Sequence, residues 1–253
     1  MTTSLEGRRI LVTGAARGIG RASVLRFAEA GAKVGCIDRD AGALAELVKG
    51  SWSANLHTVV ADVTSTRSVE AATAEIAEAL GGIDGVVNSA GIDLERPMEQ
   101  VTDEEWDAVL RVNLTGPMIV CRAALPLLKA AGRATIVNVS SGAGLQPLKF
   151  RSAYSASKAG LQMFSKALAM ETAEFGIRVN AVCPGAVETD LFRSGLTDSA
   201  DPEAERGTIR KRYALGRIAA ADEIAAAIFW LTSWDSSYVT GSVLAVDGGR
   251  TFH

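Results

Sequence analysis

RILVTGAARGIG, Arg9 to Gly20, reads as a buried strand, a glycine turn and the opening of a helix, in that order. Glycine tolerates backbone angles closed to other residues, so the chain can turn tightly after Thr13. The same glycines let a pyrophosphate approach the N–H groups at the helix start, where the helix dipole adds favourable charge. The spacing is GxxxGxG, Gly14 to Gly20, and a glycine-rich turn alone says little. Its place between a strand and a helix is the context that dinucleotide binding requires. Gly14, Arg17, Gly18, Ile19 and Gly20 are therefore candidate cofactor residues, against the plain alternative of a structural turn. Asp38 ends the next apolar run, Lys33–Asp38, about twenty residues past the glycines. A carboxylate there accepts both hydroxyls of an adenosine ribose and repels a 2′-phosphate, which points to NAD. Arg17 and Arg39 argue the other way, since either could pair with that phosphate. Asp38 could also be part of a polar turn, Asp38-Arg39-Asp40.

Outward from this unit, short apolar runs alternate with helical patterns. Strands are expected at Arg9–Thr13, Lys33–Asp38, 57–61, Gly85–Asn88, 135–139, 178–183 and 242–246. Helices are expected at 18–30, 41–48, 102 to about 128, 153–175 and 222–232. Val69, Ala72, Ile76 and Leu80 recur at helical spacing and mark another. Nearly all-apolar strands joined by crossovers imply a parallel sheet covered on both faces. With right-handed crossovers this gives a doubly wound, Rossmann-type α/β fold of seven strands. No linker or repeat divides residues 1–253, so one domain is expected. The tight rhythm fails at 187–211, rich in Ser, Asp, Pro, Arg and Gly. So long a loop is usually a functional lid, or else a surface insertion.

Hydrophobic residues are 48% and charged residues 22% of the chain, with a formal net charge of -3. Such a balance offers no reason to expect a nucleic acid or an anionic membrane as partner. Cys36, Cys121 and Cys183 sit in apolar stretches and read as buried free thiols of a reducing compartment. With only His57 and His253 besides, a metal site is not expected. No signal-peptide core and no run of transmembrane length is read from the sequence, so a cytoplasmic location is expected.

Further motifs fall in order along the chain. They are Asp62-Val63, Asn88-Ser89-Ala90-Gly91, Asn113 within VNLTG, Ser140-Ser141, and Tyr154-Ser-Ala-Ser-Lys158. Pro184-Gly185 with Thr189, then YVTG from Tyr238 and VDGG from Val246, complete them. Together with the glycine turn they make the whole chain resemble the short-chain dehydrogenases/reductases of about 250 residues. The turn resembles that family's TGxxxGIG, and Tyr154 with Lys158 its YxxxK element. Ser89 departs from the family's NNAG. The resemblance implies that Asp62 and Val63 contact adenine, that Asn88, Ala90 and Gly91 lie along the cofactor, and that Pro184, Gly185, Val187 and Thr189 flank the nicotinamide.

Chemistry supports the same reading. Moving hydride between an alcohol and a nicotinamide requires a group to carry the hydroxyl proton. Tyrosine, with a pKa near ~10, is a poor base at neutral pH. A cation one helical turn away, as Lys158 is from Tyr154, favours the phenolate. Tyr154 then accepts the alcohol proton or returns it. A second donor to the reacting oxygen is needed. Ser141, thirteen residues before Tyr154, has the family's spacing. Ser140, its neighbour, must point to the other face of the strand. The resemblance further implies that Lys158 holds the nicotinamide ribose, and that Asn113 distorts its helix and binds a relay water. An ordinary helix face for Tyr154 and Lys158, and a backbone-satisfied Asn113, are the alternatives.

Loops 92–95, 142–151 and 186–195 should line the substrate pocket at the carboxyl ends of the strands. Leu94, Gln146, Leu148, Phe150, Val187 and Phe192 are the expected walls, with Asp93, Gln146 and Arg151 as polar handles. Substrate contacts are therefore expected from Ser141, Gln146, Phe150, Tyr154 and Phe192. The expected activity is metal-free, NAD(H)-dependent oxidation of a secondary alcohol, or the reverse. The rivals are an NADP(H)-dependent ketoreductase, such as a 3-oxoacyl thioester reductase, and a non-catalytic cofactor-binding scaffold. The resemblance implies a homotetramer paired through the long helices and the C-terminal elements.

Overall fold

The structure is a computed structural model that describes residues 4–50, 52–195 and 201–251. Seven strands form one sheet: β1 (Arg9–Thr13), β2 (Lys33–Asp38), β3 (Leu56–Val60), β4 (Gly85–Asn88), β5 (Ala134–Val139), β6 (Ile177–Pro184) and β7 (Val243–Val246). Their order is β3-β2-β1-β4-β5-β6-β7 and every pairing is parallel. The chain builds outward from β1 in one direction to β3, then returns to add β4 on the other side. That reversal opens a crevice at the carboxyl ends of β1 and β4, where such sheets bind ligands.

Helices α1 (Gly18–Glu29), α2 (Ala41–Leu47) and α9 (Ala221–Thr232) lie over one face. Phe27 and Phe229 stack there with ring centroids 6.2 Å apart, above a buried layer that includes Ile10, Val12, Val137 and Val182. On the other face, α3 (Thr66–Leu80), α5 (Gly116–Ala130) and α6 (Ser152–Thr172) bury Ile76, Val120 and Leu168 against Leu11, Val86 and Ile136. Alternation along each strand feeds the two layers, so both are apolar. At the opposite end of the sheet from the crevice, buried Arg8 pairs with Asp84 at 2.5 Å and lies over the Trp234 ring.

The long helix expected from 102 to about 128 begins with α4 (Asp103–Leu110), capped by Thr102 and Glu105. It then passes through a π turn at Arg111–Thr115 before α5. Asp103–Ala130 is long and apolar enough to cross a membrane by length and composition, which corrects the expectation that no run is. Here it is a core helix, with Ile119, Val120 and Leu128 buried. The stretch 187–211 is not one loop. It holds two short helices, α7 (Asp190–Ser194) and α8 (Pro202–Arg210), while 196–200 lie outside the described residues.

Candidate active site

The glycine turn is shaped by contacts that admit no side chain. Gly14 has φ +63°, and a Cβ there would meet the Ala90 backbone at 2.8 Å. A Cβ on Gly20 would lie 2.0 Å from the Gly14 carbonyl oxygen. The turn is thus pressed against the chain leaving β4. Arg17, the residue before α1, gives that helix no side-chain cap, so its first-turn N–H groups are left for another acceptor. One Asp38 carboxylate oxygen accepts from Ala16 N at 3.0 Å, the other from Asp40 N at 3.1 Å. Arg17 is held by Asp40 at 2.6 Å and Asp190 at 3.4 Å. Arg39 is exposed and makes no ion pair among the described residues.

A cavity of about 780 Å³ runs from this turn to the catalytic helix. Gly14, Arg17, Gly18, Ile19, Asp38 and Arg39 line its first part, followed by Asp62, Val63, Ala90 and Gly91. Pro184, Gly185, Val187 and Thr189 line the far wall. Two expected cofactor residues do not reach the surface of the cavity. Gly20 is buried inside the turn. Asn88 lies beneath the floor, its amide nitrogen donating to Asn138 Oδ1 at 2.8 Å. A chain ending in four buried residues, β4, has no exposed position for it.

Tyr154 and Lys158 are one turn apart on α6, and Lys158 Nζ lies 5.7 Å from the Tyr154 ring centroid. Lys158 is 5% exposed, its Nζ donates to the Val139 carbonyl at 3.0 Å, and burial pulls its pKa down to about 8. Burial also pushes the Tyr154 phenol up, opposed by a hydrogen bond with Ser141 and by the charge of Arg151. Lys158 thus lies beside the Tyr154 ring with its ammonium turned to a carbonyl, and Arg151 adds a second positive charge near the phenol. Ser141 Oγ also accepts from Ala143 N at 3.0 Å. Ser140 points away: its hydroxyl donates to the Lys158 carbonyl at 2.9 Å and accepts from Gln162. The two serine side chains thus part, Ser141 toward Tyr154 and Ser140 beneath α6.

Asn113 sits in the π turn, fully buried. Its Oδ1 accepts from Ile92 N at 2.9 Å, while its Nδ2 donates to Ile92 O at 2.8 Å and Ser157 Oγ at 3.1 Å. Both amide hydrogens are spent on this tether, which ties the chain after β4 to α6. The distortion implied by the resemblance is present at this residue.

Leu148, Phe150, Val187 and Phe192 line the substrate end, together with Tyr154 and Ser141. Gln146 and Leu94 do not. Gln146 is exposed and offers only its carbonyl, which accepts from Arg250 at 2.8 Å. Phe150 has φ +64°, a left-handed conformation that is uncommon for a bulky residue. Arg151 is clamped between Asp93 and Glu95. Glu205, Ile209, Arg212 and Tyr213, from α8 and the turn after it, complete the wall with Arg250. Glu205 and Ile209 fall within the stretch expected as a lid, whereas Arg212, Tyr213 and Arg250 were not expected.

The chain matches the family model described as enoyl-(acyl carrier protein) reductase over residues 14–251. It belongs to the short-chain dehydrogenase/reductase family. The 3beta-hydroxysteroid dehydrogenase 1 of Eggerthella lenta is 38% identical over 100% of this chain and 97% of its own. The 3-oxoacyl-(acyl-carrier-protein) reductase FabG of Thermotoga maritima is 39% identical over 97% of this chain and 98% of its own. Among solved structures, levodione reductase superposes with a TM-score of 0.93 at 33% identity, covering 97% of this chain and 98% of its own.

As a short-chain dehydrogenase/reductase the protein is an oxidoreductase of alcohol and ketone groups that uses a nicotinamide cofactor. The residues present fit that group. The closely packed glycine turn, the uncapped start of α1 and the anchored Asp38 carboxylate offer, in order, room, donors and an acceptor.

Proposed function

We propose that this chain interconverts a secondary alcohol and its ketone with NAD(H), with Tyr154 as the acid/base. The observation that carries the reading is the cavity itself, continuous from Asp38 to a wall on which Ser141, Tyr154 and Lys158 stand together. The bound cofactor would supply the hydride acceptor or donor at its nicotinamide. Gly14, Gly18 and Ile19 would hold the diphosphate, Asp38 the adenosine ribose, and Lys158 the second ribose. Tyr154 Oη would take the alcohol proton, and Ser141 Oγ would donate to the same oxygen as it becomes a carbonyl. Lys158 would keep the phenolate favoured once its ammonium turns from the Val139 carbonyl toward the cavity.

The charges around the adenosine end support NAD over NADP. Asp38 would receive the adenosine ribose, and Arg17 is already neutralised by Asp40 and Asp190. Arg39, which makes no ion pair among the described residues, is left to meet a 2′-phosphate, and this favours the NADP-dependent ketoreductase reading. A non-catalytic scaffold is disfavoured by Asn113, Ser141, Tyr154 and Lys158 all being in place. We further propose that 187–211 acts as a lid within a single 1–253 domain, since α7 and α8 carry walls of the cavity. A homotetramer is supported by exposed Met163 and Met170 on α6 and exposed Tyr238 near β7. The three free, buried cysteines fit a reducing, cytoplasmic setting.

Initial rates on a panel of secondary alcohols, followed by NADH or NADPH absorbance, test the reading. NAD should give the larger kcat/KM. Tyr154→Phe should lower turnover by about 10²–10⁴-fold while NADH still binds. Unchanged turnover in that variant would remove the mechanism, and sedimentation of a monomer would remove the tetramer.

A further inference from the structure

Arg250 is 7% exposed yet lines the substrate end of the cavity. Its Nη2 donates to the carbonyls of Gln146 at 2.8 Å and Pro147 at 3.2 Å. Nη1 has no partner among the described residues. No carboxylate among them forms an ion pair with the guanidinium. The nearest in sequence, Asp247, has its two oxygens taken by the N–H groups of Gly249 at 3.0 Å and Thr251 at 2.9 Å. Of the other two arginines at this end, Arg151 is spoken for by Asp93 and Glu95, and Arg212 is exposed to solvent rather than buried. A buried guanidinium with no counter-ion among the described residues carries a desolvation cost, which an anion in the cavity would offset.

The position suits a substrate group. A Cβ built on Gly142 would meet Arg250 Nη1 at 3.3 Å, so the cation lies against the residue after Ser141. We propose that the alcohol is a small hydroxy acid, its carboxylate received by Arg250 while its hydroxyl sits between Ser141 and Tyr154. This rests on the oxidoreductase reading above. In the oxidation direction the carbinol hydride goes to the oxidised nicotinamide and the hydroxyl proton to Tyr154. The carbon–oxygen single bond becomes double, and the carboxylate is unchanged.

The test compares hydroxy acids with their amides, using lactate, 3-hydroxybutyrate and 4-hydroxypentanoate, in wild type, Arg250→Met and Arg250→Lys. At least one acid should exceed its amide in kcat/KM by about tenfold, the scale of one charge-assisted contact. Arg250→Met should collapse that ratio, and Arg250→Lys should keep part of it. Equal loss on acid and amide would instead make Arg250 an anchor for the 146–147 carbonyls, and would overturn the proposal, as would no preference in wild type. If no alcohol is turned over with either cofactor, the oxidoreductase reading fails on its own terms. Calorimetric titration of the same acids then decides: saturable binding lost in Arg250→Met supports the anion site, and no saturable binding in wild type overturns it.

Discussion

The two ends of the cavity are built from different materials. The adenosine end is backbone: glycines whose missing Cβ atoms let β1, α1 and the chain after β4 touch. The substrate end is long side chains, Phe150, Arg151, Phe192, Arg212 and Arg250, brought from four separate stretches of chain. Backbone against backbone has no rotamer in which to yield, whereas side chains can repack. Substitutions should therefore abolish function at the first end and retune it at the second.

The harshest way to break this contrast is Gly20→Val. Its Cβ would stand 2.0 Å from a carbonyl oxygen that cannot move without shifting β1. A loss of roughly 4 kcal/mol or more is expected, the range of severe core disruption. Thermal melting and NADH fluorescence titration should show both stability and cofactor affinity gone. A folded variant that binds NADH normally would show that the turn is slack.

Lys158 lies where the two ends meet, and its effect should depend on pH. Its pKa falls from 10.5 in the unfolded chain to about 8 when buried. The unfolded chain then binds more protons between these values, so wild-type stability gains from this group as pH rises from about 8 to 10.5. Below about 8 the folded protein bears the full cost of the buried cation. Lys158→Met lacks that cost, so its stability advantage over wild type should be largest at pH 7. It should shrink by about 3 kcal/mol toward pH 10.5, at roughly 1.36 kcal/mol for each pH unit between the two values. Urea titrations of both proteins at pH 7, 8.5 and 10 measure the gap. A gap independent of pH would mean that Lys158 is not desolvated.

Phe150→Gly should be mild and opposite in sign to Gly20→Val. Glycine adopts φ +64° without the cost of roughly 1–2 kcal/mol that a side chain incurs there. Stability should hold or rise slightly, while KM for the alcohol rises because a wall is gone. If kcat falls as steeply as KM rises, Phe150 also positions Tyr154.

The same contrast explains what the sequence made legible. The sheet and the glycine turn are local: apolar runs and glycine spacing specify them without reference to distant residues. Alternation said only that one of Ser140 and Ser141 reaches the site, and the spacing to Tyr154 chose Ser141. The substrate end depends on how loops fold back. Nothing local tells that Gln146 turns outward and lends only its carbonyl to Arg250, 104 residues later. Nor does the periodicity of 102–128 mark the π turn, which accompanies Asn113 reaching across to Ile92. Helices α7 and α8 are only five and nine residues long, too short for a helical period to stand out, so their stretch reads as loop.

The smallest structural effect should come from the carboxylates on Arg17, and it sharpens the contrast through charge alone. Both ion pairs are exposed, so neither holds the turn in place. What they do is cancel the one cation closest to the glycine turn. In Asp40→Asn with Asp190→Asn, asparagine can still cap α2 at position 40. The fold and NAD kinetics should therefore change little. Arg17 is then released beside exposed Arg39, and the KM for NADP should fall several-fold, since a phosphate gains a charge-assisted partner. Asp38 still repels that phosphate, so NAD should remain preferred. If the double variant leaves NADP kinetics untouched, Asp38 alone sets the preference and the charge of Arg17 is irrelevant to it. If NAD kinetics collapse instead, the exposed pairs hold the turn after all, and the adenosine end depends on side chains as much as the substrate end does.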